Sequence, residues 1–226
     1  MITLSPRLHA AANFVPRSET VADVGTDHGY LPLWLLEHQR AQRVFASDIH
    51  ALPLERARQN AAASGFSDRV RLELCDGLQY PGAEAADAVT ICGMGGETMI
   101  SILAAAPWTR QGRALILQPQ SKRRELEQWL CQNGYGLQDA RLCRDAGKLY
   151  LVLSVLGGCD GAESTEALLL RSHDPLLPEY LALEQQKLTH ALRGMEQAAR
   201  DTSAELRTLR VQLTAIEAYQ KEVGTW

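Results

Sequence analysis

Long apolar runs are missing from these 226 residues, and so are paired cysteines and any large excess of charge. No hydrophobic stretch reaches the roughly 18 residues of a membrane span. The N-terminus, with Arg7 and His9 among short mixed stretches, has no secretory apolar segment, so a cytoplasmic protein with no membrane partner is expected. The five cysteines, Cys75, Cys92, Cys131, Cys143 and Cys159, are scattered and form no Cys-x-x-Cys pair. They read as reduced thiols, and no metal is expected. A formal net charge of -4 offers no general attraction to phosphate, so a nucleic-acid partner would have to use local patches. Three exist: Arg7 with Arg17, Arg110 and Arg113 with Lys122-Arg123-Arg124, and Arg200, Arg207 and Arg210. Each also reads as a solvated face.

A further absence says more. Residues 21–30 read as an apolar strand, a glycine turn and the start of a helix, the arrangement that receives a nucleotide-type ligand at the mouth of an α/β sheet. A dinucleotide fingerprint needs glycine two places after the first, and after Gly25 that place holds Asp27. A carboxylate there repels pyrophosphate. The turn suits instead a ligand with an adenosine and a cationic centre but no phosphates, a description that S-adenosylmethionine meets.

The pattern of the chain supports an α/β domain. Leu4, Leu8, Ala11, Ala12 and Val15 mark a short amphipathic helix that Pro16 closes. Strands are expected at 18–24, 43–48, 70–74, 86–92, 114–117, 137–143 and 149–156, with helices at 30–38, 52–64, 98–106 and 123–132 between them. Such alternation predicts a seven-stranded, mostly parallel sheet with an antiparallel hairpin at its edge. Ligands of such sheets lie beyond the carboxyl ends of the strands. Asp48 stands there, 23 positions after Gly25, close to the roughly 20 expected of the acid that binds a ribose, although it could equally cap the next helix. Asp76-Gly77 would accept from an adenine amino group or be a simple turn. Gly93-Met94-Gly95-Gly96 marks close backbone approach, where donor and acceptor would meet.

A composition break at 157–161 predicts a linker between residues 1–160, a Rossmann-like domain, and 161–226. Beyond it, Leu177, Leu181, Leu188, Ala191 and Met195, then Leu206, Leu209, Leu213 and Ile216, form two coiled-coil seams. With a turn between Gly194 and Ser203, they predict an antiparallel helical hairpin, serving either dimerisation or the grip on a large substrate.

Taken together, residues 4–8 (Leu-Ser-Pro-Arg-Leu), the 23–32 turn, the 93–96 loop, residues 115–119 (Leu-Ile-Leu-Gln-Pro) and the helical hairpin resemble the bacterial tRNA (adenine-22-N1)-methyltransferases, class I enzymes dependent on S-adenosylmethionine. Gly29 and Thr26 depart from the alanine and serine expected there. The resemblance implies methyl transfer to N1 of an adenine in tRNA, and contact of the cofactor with Gly25, Asp48, Asp76, Gly77, Gly93 and Met94. His28 and Ile49 join that set as neighbours of its members. It also implies that Asp27 and Arg7 lie near the acceptor or the RNA. Asp27 and Tyr30 are the candidate catalytic residues, and Arg7, Arg17, Lys122 and Arg123 the candidate RNA contacts. Monomer or weak homodimer is the expected state. The alternatives are a methyltransferase of another RNA nucleotide or small molecule, and a non-catalytic nucleotide-binding scaffold that dimerises through its hairpin.

Overall fold

The structure, a computed structural model, describes residues 1–159, 163–196 and 203–225. Two compact units divide the chain, Met1–Thr165 and Glu166–Trp226.

The first unit opens with α1 (Pro6–Phe14), where the Ser5 side chain caps the helix by accepting from the Leu8 N–H and Pro6 occupies the first turn. Then follow β1 (Ser18–Val24), α2 (Tyr30–Glu37), β2 (Ala41–Asp48), α3 (Ala51–Ala63), β3 (Val70–Leu74), β4 (Ala88–Gly95) and α4 (Gly96–Ala105). The unit ends with β5 (Ala114–Ser121), α5 (Arg123–Gln132), β6 (Tyr135–Asp145) and β7 (Lys148–Gly157). All seven strands join one sheet in the order β3-β2-β1-β4-β5-β7-β6. The pairs from β3 to β5 are parallel, while β7 runs antiparallel between β5 and β6. The expected hairpin is therefore at the edge, with its second strand on the inside.

Helices cover the central strands on both faces, so these strands are apolar nearly throughout: Val21, Ala22, Ala88, Val89, Ile91, Leu115, Ile116 and Leu117 are all fully buried. The order also locates the site. From β1 the chain winds outward to β2 and β3, then crosses back to β4, so the sheet's switch point lies between β1 and β4, where connections diverge and leave a crevice.

Several boundaries differ from the expected ones, most by one or two residues, and β5 runs on from Leu117 to Ser121. β4 does not stop at Cys92 but continues, with breaks in register around Met94, to Gly95, and α4 begins directly at Gly96. The glycine segment is thus a bulged strand end. Gly96 is required there, since a Cβ would stand 2.3 Å from the Lys122 carbonyl oxygen.

The second unit holds α6 (Thr165–Arg171, whose first residue belongs to the first unit), α7 (Leu177–Glu196) and α8 (Ser203–Val223). Sequence periodicity did not single out α6. Gln185 pairs with Gln220 and Glu196 with Arg210, so α7 and α8 run antiparallel. The α7 seam buries Leu177, Leu181, Leu188 and Leu192, with Leu192 taking the place expected of Ala191. Gly194, expected in the turn, lies inside α7; residues 197–202, the rest of that turn, and residues 160–162 of the expected linker lie outside the described residues. Gly157 ends β7, and the Gly158 N–H donates to the Gly134 carbonyl, so these two glycines belong to the sheet unit. Among the described residues no helix is long and apolar enough to cross a membrane.

Candidate active site

Where β1 ends, Gly25 takes φ +74°, and its N–H and that of Thr26 both donate to the Ser47 carbonyl on β2. That left-handed φ favours glycine, and a Cβ here would also have to push aside the Met94 methyl, which lies 2.3 Å from where it would stand. Ser47, which sequence reasoning missed, ties two loops together, since its buried hydroxyl also donates to the Gly77 carbonyl at 2.7 Å. Asn60 on α3, also missed, holds the turn from the other side through the His28 carbonyl at 2.8 Å.

At the switch point lies a cavity of about 280 Å³, to which Arg7, Gly25, Asp27, His28, Tyr30 and Gly93 all contribute. Six of the sequence candidates therefore meet in one place. Asp27 occupies the left-handed region at φ +50°, a conformation short acidic side chains tolerate, and its carboxylate is 70% exposed at the cavity mouth. His28 Nε2 lies 3.4 Å from Asp27 Oδ1, and the His28 ring stacks on Tyr30 with centroids 5.6 Å apart. An exposed carboxylate, an imidazole and a half-exposed phenol thus share the rim.

The inner wall contains a group the motif reading did not nominate. Asp23 is buried, and its Oδ1 accepts from the Thr90 hydroxyl at 2.5 Å across the paired strands β1 and β4. Burial pushes its carboxyl up to about 6, against the pull of the Thr90 and Thr26 hydroxyls. Cys92 lies on the same wall; loss of hydration, then the Asp23 charge, raises its thiol pKa and so disfavours the thiolate.

Arg7 enters the cavity from α1 and is held on three sides. Its Nη1 donates to Gln118 Oε1 at 3.1 Å, its Nε lies 3.8 Å from Asp145, and its guanidinium sits 5.5 Å from the centre of the Tyr150 ring. Arg17, grouped with Arg7 in the sequence, is exposed at the opposite, amino-terminal end of β1, roughly 23 Å away at 3.3 Å per strand residue. It cannot act with Arg7 at the cavity. Lys122 is exposed and pairs with Glu97 and Glu125. Arg123, expected to face RNA, is instead only partly exposed and turned into a 2.7 Å ion pair with Glu127, which also accepts from the Thr165 hydroxyl.

Asp48, Ile49, Asp76 and Gly77 stand on the same carboxyl edge of the sheet but do not line this cavity. The Asp48 carboxylate accepts from the His50 N–H at 2.8 Å, a local turn just before α3. Ile49 and Leu74 beside it are each 61% exposed, an apolar ledge at the ends of β2 and β3. Among the described residues no group of three His, Cys, Asp or Glu side chains could hold a metal.

Residues 4–153 match the family described as Methyltransferase domain. The chain belongs to this family. As a methyltransferase it is 34% identical over 158 residues to the tRNA (adenine(22)-N(1))-methyltransferase of Bacillus subtilis strain 168, covering 70% of this chain and 66% of that protein. The methyltransferase fold extends to solved structures. The B. subtilis M1A22 tRNA methyltransferase TrmK superposes with a TM-score of 0.81 at 26% identity, covering 97% of this chain and 100% of the other. Streptococcus pneumoniae Sp1610 in complex with S-adenosyl-L-methionine gives 0.79 at 27%, with the same coverage of both chains.

Proposed function

We propose that the protein transfers a methyl group from S-adenosylmethionine to N1 of an adenine in tRNA, adenosine 22 by analogy with its B. subtilis relative. What carries this reading is likeness over nearly the whole chain, helical hairpin included, to an m1A22 tRNA methyltransferase. The residues present suit the donor. Gly25 removes side-chain bulk beneath the turn, the adjoining acids Asp23 and Asp27 favour a cation and disfavour phosphate, and the Ile49 and Leu74 ledge offers an apolar surface beside Asp48. When bound, S-adenosylmethionine supplies an electrophilic methyl on a sulfonium sulfur.

In this reading Asp48 would take the ribose, Asp76 and Gly77 the adenine of the cofactor, and Gly25, His28, Ile49, Gly93 and Met94 would shape the rest of its bed. Neutral adenine carries no proton on N1, so the chain needs to provide no general base. Asp27 would orient the base and balance the positive charge formed on the methylated ring. N1 lies on the Watson–Crick edge, so a paired target must be unpaired or flipped, and the His28–Tyr30 stack at the rim would receive it. Holding both partners in line supplies most of the acceleration. The enzyme would act in the cytoplasm as a monomer or weak homodimer, with Lys122 the exposed basic contact for RNA.

The test is transfer of labelled methyl from S-adenosylmethionine to unmodified tRNA, followed by mapping of the modified base. Label at N1 of adenosine 22 is expected. Label on a cytosine or guanine, or none, overturns the reading.

A further inference from the structure

Gln118, within β5, is a fully buried glutamine whose side-chain oxygen takes two hydrogen bonds from two different elements. Arg7 Nη1 on α1 and the Gly93 N–H on β4 both donate to Oε1 at 3.1 Å, while Nε2 donates to the Pro119 carbonyl at 3.2 Å. The arrangement fixes the amide's orientation, because a flip would set its NH₂ against two donors. It also brings Arg7 hard against the glycine: a Cβ on Gly93 would stand 3.1 Å from Nη1. Of the three, Arg7 and Gly93 line the cavity and Gln118 does not.

We propose that Gln118 is a positioning residue that presents the Arg7 guanidinium to an oxyanion of the bound substrates, either the carboxylate of the methyl donor or a phosphate of the RNA. The inference rests on the function proposed above and deepens it.

Two observations give it direction. First, Arg7 is anchored without being used up. Gln118 takes Nη1, Tyr150 supports the face, Asp145 stands 3.8 Å from Nε, and no protein group among the described residues accepts a hydrogen bond from Nη2. An arginine held at the wall of a cavity with a donor unspent is prepared for an acceptor from outside the chain, and its planar fork matches a carboxylate or phosphate. Second, the residue that holds Nη1 is neutral. A carboxylate at 118 would set a second acid beside Arg7 in addition to Asp145, whereas an amide orients the guanidinium without adding further counter-charge. Because Gly93 shares the same oxygen, the amide also keeps the arginine in register with the strand end beside which methyl transfer would take place.

The experiment is a double-mutant cycle on the full chain with Arg7→Ala, Gln118→Met and the pair. Affinity for S-adenosylmethionine is read by calorimetry, affinity for unmodified tRNA by gel shift, and folding by thermal melting. Arg7→Ala should weaken one ligand by about tenfold or more, as loss of a charge-assisted hydrogen bond does. Gln118→Met should weaken the same ligand, and the double variant should be no worse than Arg7→Ala within about twofold. A loss confined to S-adenosylmethionine assigns the oxyanion to the donor carboxylate; one confined to tRNA assigns it to a phosphate. Should Gln118→Met fail to fold, Gln118→Glu replaces it, with the same ligand expected to weaken as the Arg7 charge is cancelled. Additive losses, or unchanged affinity in Gln118→Glu, overturn the proposal while the function stands. A wild-type chain that binds neither ligand overturns both.

Discussion

The Thr90 hydroxyl donates to the buried Asp23 carboxylate at 2.5 Å, joining the two strands that flank the switch point. This acid costs the fold something. Its pKa is raised from 3.8 unfolded to about 6 folded, so the native state holds the proton more tightly. The associated stability is therefore present below about pH 4 and is lost as the pH rises through 6.

Asp23→Asn should consequently melt higher than wild type at pH 7.5. Two pKa units correspond to at most about 3 kcal/mol, and the advantage should shrink toward pH 4. Calorimetric melting across that range checks it, and S-adenosylmethionine affinity should fall in the same variant. A lower melting temperature at pH 7.5 would count against the buried-acid account.

Asp27→Ala should abolish most methyl transfer while weakening cofactor binding far less, since this carboxylate is exposed at the rim and does not support the core. Loss of kcat by roughly 10²-fold or more is expected of a group that balances developing charge. Turnover equal to wild type would mean that Asp27 merely shapes the turn.

Gly29→Ala tests the departure from the family pattern. Gly29 has φ +74°, and a Cβ would stand 3.0 Å from the Ala57 side chain on α3. The strain should cost about 1–3 kcal/mol, or roughly 2–4 °C of melting temperature for each kcal/mol in a chain of this size. An unchanged melting curve would show that α3 yields easily.

Arg123→Ala should lower the melting temperature, because it removes the 2.7 Å ion partner of a Glu127 carboxylate that is largely withdrawn from water. Lys122→Ala should leave stability nearly unchanged and reduce the salt dependence of tRNA binding. The reverse pattern, found by melting and salt titration, would restore Arg123 as an RNA contact.

What the sequence made legible were features written in a few adjacent residues: the glycine and acid turn at 25–27, the glycine segment after β4 and the leucine seams. Each rests on local backbone chemistry or on a short period. Gln118 and Arg7 are 111 positions apart, and Asn60 meets His28 across 32, so nothing local marks either pair. Arg123 looked like one of three consecutive basic residues, and only the packing of α5 shows which of them turns inward. Asp23 opens the 23–32 stretch that the sequence singles out, but its burial became apparent only once β1 was placed beside β4.

The order in which the polypeptide is made gives the Arg7 anchor a further meaning. Arg7 leaves the ribosome well before Gln118, Asp145 and Tyr150, which hold it and come from β5 and the closing hairpin. Until that hairpin is synthesised and slots β7 beside β5, the Arg7 side chain lacks both Asp145 and Tyr150. A nascent chain halted before residue 145 could carry its whole glycine turn and still lack a finished cavity. The anchor of Arg7 is thus complete only once the sheet is closed.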